Sequence, residues 1–178
     1  MHNILSTRQM LLNAQKDHYA VPAFNIHNME TLQVVAETAA RMRSPLIIAA
    51  TPSTVKYAGP EYLVGLAQVA ARHTDIPIAV HMDHHEVYED IKEGIDVGFR
   101  SVMIDASRDP FEQNIARVQK VAAYAHQYDA TVEAERGKLV GQEDDLVVSD
   151  RESAYTDPEV AAEYVDKTGI DSLAVAIG

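Results

Sequence analysis

The sequence predicts an α/β fold built on a parallel sheet of about six strands, and three observations carry that expectation. Apolar, β-rich runs recur at intervals along the chain, helical stretches with start and stop signals alternate with them, and polar residues collect where the runs end. The runs are Tyr19 to Ile26, Pro45 to Ala50, Ile76 to His81, Ser101 to Asp105, Thr131 to Glu135 and Ser172 to Ile177. Most are almost continuously apolar, as strands buried on both faces of a parallel sheet are.

Each helical stretch has its own signals. Ser6-Thr7-Arg8-Gln9 has the form of a capping box ahead of a leading helix, and Asn28 can cap the second helix, where Leu32, Val35, Ala36 and Ala39 form one stripe. Asp109-Pro110 and Asp157-Pro158 each set a capping carboxylate before a proline suited to the first helical position. Phe111, Ile115, Val118, Ala122 and Ala125 follow at helical spacing, and Gly98 and Gly169 stand where C-terminal caps belong. The alternation implies right-handed crossovers between parallel strands. The segment from about Gly137 to Thr156 reads as a long non-regular loop, of the kind used as a lid or binding loop. A doubly wound sheet is the rival architecture, but Phe24-Asn25-Ile26-His27 stands where its glycine-rich phosphate turn would follow strand one.

Composition narrows the function. With 47% hydrophobic residues in 178, the chain suffices for one domain over 1–178 with a real core. A formal charge of −12 repels polyanions, so nucleic acid and anionic membranes are expected to be excluded as partners and small molecules favoured. The absence of cysteine rules out disulfides and thiolate metal sites and fits a cytoplasmic protein. No basic leader or long apolar run points to secretion or a membrane span.

Ligands in parallel α/β folds bind at the carboxyl ends of the strands. Those ends carry Asn25, Thr51, His81-Met82-Asp83-His84-His85, Asp105 and Glu133-Ala134-Glu135. Three imidazoles around a carboxylate suit a divalent metal with an adjacent proton carrier; the other reading is a polar strand-to-helix loop with solvated histidines. Asp105 reads equally as a site acid or a turn cap, and Glu133 and Glu135 share one strand face. Glu143-Asp144-Asp145 alone reads as a solvated charge run. All six lysines fall in predicted helices or loops, which argues against a Schiff-base lysine inside a barrel.

At these residues the sequence resembles the class II, zinc-dependent ketose-bisphosphate aldolases, most closely their tagatose-1,6-bisphosphate branch. The likeness runs through Tyr19 to Asn28, His81 to His85, Ser101 to Ser107, Gly141 to Asp145 and Asp171 to Gly178. It implies a (β/α)8 TIM barrel, incomplete here at about six strands. It also implies Zn2+ as cofactor and reversible cleavage of tagatose 1,6-bisphosphate to dihydroxyacetone phosphate and glyceraldehyde 3-phosphate, in carbohydrate metabolism such as galactitol catabolism. By this resemblance Asp83 exchanges the proton at the C4 oxygen and His84 is the first histidine ligand of the metal. Asp105 and Glu135 match acidic metal positions, and Glu143 matches the loop glutamate that exchanges a proton with the dihydroxyacetone phosphate carbon. Asn25 and Thr51 are placed to contact substrate. The implied partners are a sugar bisphosphate, a companion aldolase subunit and further copies of the chain.

Two departures from the family pattern stand after Glu135. Arg136 replaces an apolar residue and Val140 replaces the first glycine of a hinge pair, which is expected to strain the loop by about 1 to 2 kcal/mol if that position needs positive φ. In the family the segment matching Ala176-Ile177-Gly178 leads at once into a second zinc-ligating histidine, so the sequence is expected to end with strand six, inactive and prone to self-associate on its own. Fructose 1,6-bisphosphate as substrate, and a non-catalytic remnant or accessory chain, are the alternatives.

Overall fold

The computed structural model describes residues 4–137, 141–143, 146–148 and 155–177. Its elements run α1 (Thr7–Asp17), β1 (Ala23–Asn25), α2 (Met29–Met42), β2 (Leu46–Ala50), α3 (Pro52–Ala58), α4 (Pro60–His73), β3 (Ile78–His85), α5 (Tyr88–Val97), β4 (Ser101–Ile104), α6 (Phe111–Ala125), β5 (Thr131–Arg136), β6 (Gly141–Glu143), β7 (Leu146–Val148), α7 (Pro158–Thr168) and β8 (Ser172–Val175). Six strands form one sheet in the order β1-β2-β3-β4-β5-β8, every pairing parallel. The order never reverses, so the sheet has no switch point, and it curves as a half-barrel rather than a doubly wound sheet.

Period-two alternation sorts the strand residues into two faces. Ile48 and Ala50, Val80 and Met82, Val102 and Ile104, and Val132 and Ala134 join one buried cluster with Leu32, Ala36, Leu63, Ile91, Ile95, Val118 and Tyr164 of the helices. The opposite face carries His81, Asp83, Ser101, Asp105, Thr131, Glu133 and Glu135. Register aligns His81 with Ser101 and Ser101 with Thr131, so these three polar residues lie side by side deep in the concave face. Leu5 N–H donates to the Ile78 carbonyl, which seats the start of α1 at the foot of β3.

Several expected features hold. Asn28 and Thr31 form a full capping box, Asp157 caps α7, and Gly98 (φ 124°) and Gly169 (φ 70°) end their helices. Lys16, Lys56, Lys92, Lys120 and Lys167 all sit on helices; Lys138 lies outside the described residues.

Others are corrected. Ser6 makes no capping bond, because Thr7 turns inward to Thr131 instead. Asp109 does not cap α6 either; Pro110 holds that position and the Asp109 carboxylate pairs with Arg117. Strand one is only Ala23–Asn25, since Tyr19 N–H is drawn back to the Ala14 carbonyl to close α1. Strand three continues through His85, not His81, because Ile104 pairs with His85 beyond a bulge. The segment after Gly137 is not wholly irregular: β6 and β7 pair antiparallel within it. Val140 lies outside the described residues.

Candidate active site

The bulge in β3 makes the site. Between Met82 and His85 the strand spends three steps where β4 spends two, from Val102 to Ile104. His84 takes up the extra step with φ 52°, a left-handed conformation that a non-glycine residue adopts at a cost of about 1 to 2 kcal/mol. His18, Arg43 and Asp129 also have positive φ, but each of them ends a helical turn. At His84 the strain lets two successive side chains, Asp83 and His84, share the concave face, which a regular strand forbids.

His84 then meets the acids of the next two strands. Its Nδ1 lies 3.1 Å from Asp105 Oδ2 and 3.8 Å from Glu135 Oε2. One ligand atom from each of the three residues falls within 4.8 Å of the others. Asp105 is 4% exposed, yet its carboxyl sits below the usual range: burial pushes the pKa up, and the hydrogen bonds it accepts from His84 and Ser107 outweigh it. Asp105 Oδ1 accepts from Ser107 N–H, as the turn-cap reading expects, while Oδ2 faces His84. An imidazole with two carboxylates is a donor set that suits a divalent cation.

Asp83 stands beside this cluster. Asn25 Nδ2 donates to its Oδ2 at 2.9 Å, and His81 Nε2 faces its Oδ1 at 4.0 Å. Thr51 is buried but turned elsewhere: its hydroxyl bonds Ser53 and Thr54, and Thr54 in turn meets His27 Nδ1 at 3.0 Å. Among the contacts described, it makes none with the cluster. Glu143 ends β6, and its side chain lies outside what is described, as do Asp144 and Asp145.

Chain comparison decides the family. The model of the class II fructose-bisphosphate aldolases matches residues 5–178. The chain belongs to that family. It is 57% identical over 175 residues to the D-tagatose-1,6-bisphosphate aldolase subunit GatY of Klebsiella oxytoca, covering 98% of this chain and 62% of that protein. Among crystal structures, the YdjI aldolase of Escherichia coli K12 superposes with a TM-score of 0.84 at 34% identity, over 98% of this chain and 61% of its own. The fructose-bisphosphate aldolase of Campylobacter jejuni shares the fold, with a TM-score of 0.73 at 23% identity over 99% and 59%. The chain thus spans about three fifths of the length of these relatives.

Three residues behind the site escaped the sequence reading. Asn114 on α6 is fully buried, donates to the Ala106 carbonyl at 2.7 Å and accepts from Tyr164, so it ties the end of β4 to the helix layer. It falls among Phe111, Ile115 and Val118, and a polar residue on an otherwise apolar stripe was the available signal. Ser101 and Thr7 gave none, since a single hydroxyl beside a strand or helix start has no distinctive spacing.

Proposed function

We propose that this chain is the metal-bearing front of a zinc-dependent aldolase, a single barrel-type domain over 1–178. The reaction is reversible cleavage of tagatose 1,6-bisphosphate to dihydroxyacetone phosphate and glyceraldehyde 3-phosphate. The observation that carries the reading is the meeting of His84, Asp105 and Glu135 within 4.8 Å beside the Asn25–Asp83 pair. Identity of 57% to a tagatose-1,6-bisphosphate aldolase subunit supports tagatose over fructose bisphosphate and a companion subunit as partner, and the proposed setting is galactitol catabolism in the cytoplasm. Among the described residues no helix is long and apolar enough to cross a membrane.

His84, Asp105 and Glu135 would hold the ion. Bound there, zinc supplies a Lewis acid for the substrate ketone. Asn25 holds one Asp83 oxygen and leaves the carboxylate oriented to take the proton of the C4 hydroxyl. The C3–C4 bond then breaks, its electron pair passing toward the ketone, and C4 leaves as the aldehyde. Glu143, delivered by the loop, returns a proton to C3 and completes dihydroxyacetone phosphate.

The test is cleavage of tagatose 1,6-bisphosphate by the protein at its full natural length, followed as dihydroxyacetone phosphate release. Activity should vanish with a chelator and return with zinc. Asp83→Asn should lower kcat by about 10² or more, the scale of a lost acid–base group. Turnover that survives removal of the metal, or a higher kcat/KM for fructose 1,6-bisphosphate, would overturn the assignment.

A further inference from the structure

Beneath Asp83 a line of buried hydroxyls crosses the sheet, and its contact distances favour one direction. Thr131 Oγ1 lies 3.2 Å from the Arg100 carbonyl, an oxygen that can only accept and so draws the one hydroxyl hydrogen. With that hydrogen on the carbonyl, the 2.7 Å contact between Thr131 and Thr7 has the Thr7 hydroxyl donating, and the Thr7 N–H donates to the same oxygen at 3.2 Å. Thr7 has no hydrogen left for Ser101, which lies 3.5 Å away. The Ser101 hydrogen has a nearer acceptor at 2.8 Å, the Nδ1 of His81.

His81 is 5% exposed, and burial keeps its imidazole neutral by pushing the pKa down. A neutral ring has one N–H and one bare nitrogen, so its tautomer decides what it offers Asp83. If Ser101 donates to Nδ1, Nε2 carries the hydrogen, and Nε2 is the atom that faces Asp83 Oδ1 at 4.0 Å. The opposite tautomer would set a lone pair against a carboxylate. The Asp83 carboxylate selects the Nε2–H form, and Ser101, nearer to Nδ1 than to Thr7, supplies the donor that form needs.

We propose that Ser101 and His81 are a positioning pair for Asp83: the Ser101 hydroxyl donates to His81 Nδ1 and so holds Nε2–H toward Asp83 Oδ1. Asn25 addresses the other oxygen at 2.9 Å, and the carboxylate is then held between donors from β1 and β3. The 4.0 Å gap exceeds a direct hydrogen bond by about 1 Å, and such contacts tighten or take a bridging water when the site is filled. His81 lies apart from the His84, Asp105 and Glu135 cluster and serves as a positioning residue, not a ligand. The proposal rests on Asp83 being the proton carrier of the aldolase reading.

Two measurements on the full-length enzyme test it. With ¹⁵N-labelled histidine, long-range proton–nitrogen correlation should find His81 as the Nε2–H tautomer, and Ser101→Ala should shift it toward Nδ1–H. In turnover, Ser101→Ala should lower kcat by about tenfold, the scale of one displaced hydrogen bond, with KM and zinc content held within about twofold. His81→Gln, which keeps an N–H near the place of Nε2, should retain more activity than His81→Leu. An Nδ1–H tautomer in the unmodified enzyme, an unchanged kcat in Ser101→Ala, or equal losses in the two His81 variants would each overturn the pair. If the unmodified enzyme cleaves no sugar bisphosphate, the aldolase reading fails, while the tautomer still decides the Ser101 and His81 arrangement.

Discussion

His85 is 2% exposed, and its ring is buried beside the Ala50 backbone. Burial pushes its pKa down to about 4, outweighing the Ala50 backbone and the nearby Asp90 and Asp83 carboxylates. The sign of the consequence follows. Above pH 6.5 the residue is neutral whether folded or not, and it contributes no slope. Between 6.5 and about 4 the unfolded chain binds a proton that the folded chain refuses, so stability falls with pH, by at most about 3 kcal/mol. Urea denaturation of metal-free protein at pH 7 and pH 4.5 should show that loss, and His85→Leu should remove most of it; an equal pH slope in the two proteins would contradict the assignment. Histidines 81, 84 and 85 could be singled out in the sequence as one cluster. Their division into a buried ring on Ser101, a ring facing Asp105 and Glu135 and a second buried ring could not, because it depends on which face of β3 each residue takes.

At the scale of elements, β3 and α5 meet without a spare atom. A Cβ built on Gly94 of α5 would lie 2.1 Å from Met82 Sδ, and Met82 is fully buried between His81 and Asp83 in sequence. Gly94→Ala must therefore displace Met82, at a cost of about 1 to 3 kcal/mol. In a Met82→Ala background the same substitution should cost much less, and a double-mutant cycle by chemical denaturation measures the coupling. Additive losses would mean that the helix moves instead. The six principal strands were legible because their apolar runs are continuous, whereas the bulge was not, since no glycine marks the left-handed step at His84. The capping signals divide in the same way. Asn28 and Asp157 cap as their spacing indicates, but Thr7 and Asp109 are taken by partners, Thr131 and Arg117, that lie 124 and 8 residues away.

Across the molecule, β1 and β8 each have a single neighbour in the six-stranded sheet. Phe24, Val175 and Ile177 are 48%, 44% and 78% exposed at these edges, where unpaired N–H and C=O groups offer a template to another chain. Residues 1–178 expressed alone should associate with rising concentration in sedimentation velocity, and a strictly monomeric profile would count against open edges. By itself the sequence determined the parallel α/β class, the order of its elements and the strand ends at which acids and imidazoles gather, because burial periodicity, prolines and caps are local signals. The tertiary structure alone decided that the sheet runs without a switch point. It also decided that His84 joins Asp105 and Glu135 while Thr51 turns away, and that Ser101 stands under His81. Those outcomes depend on register between strands about 20 to 30 residues apart and on one strained residue, and such distances are set by the closing of the sheet, not by any spacing along the chain.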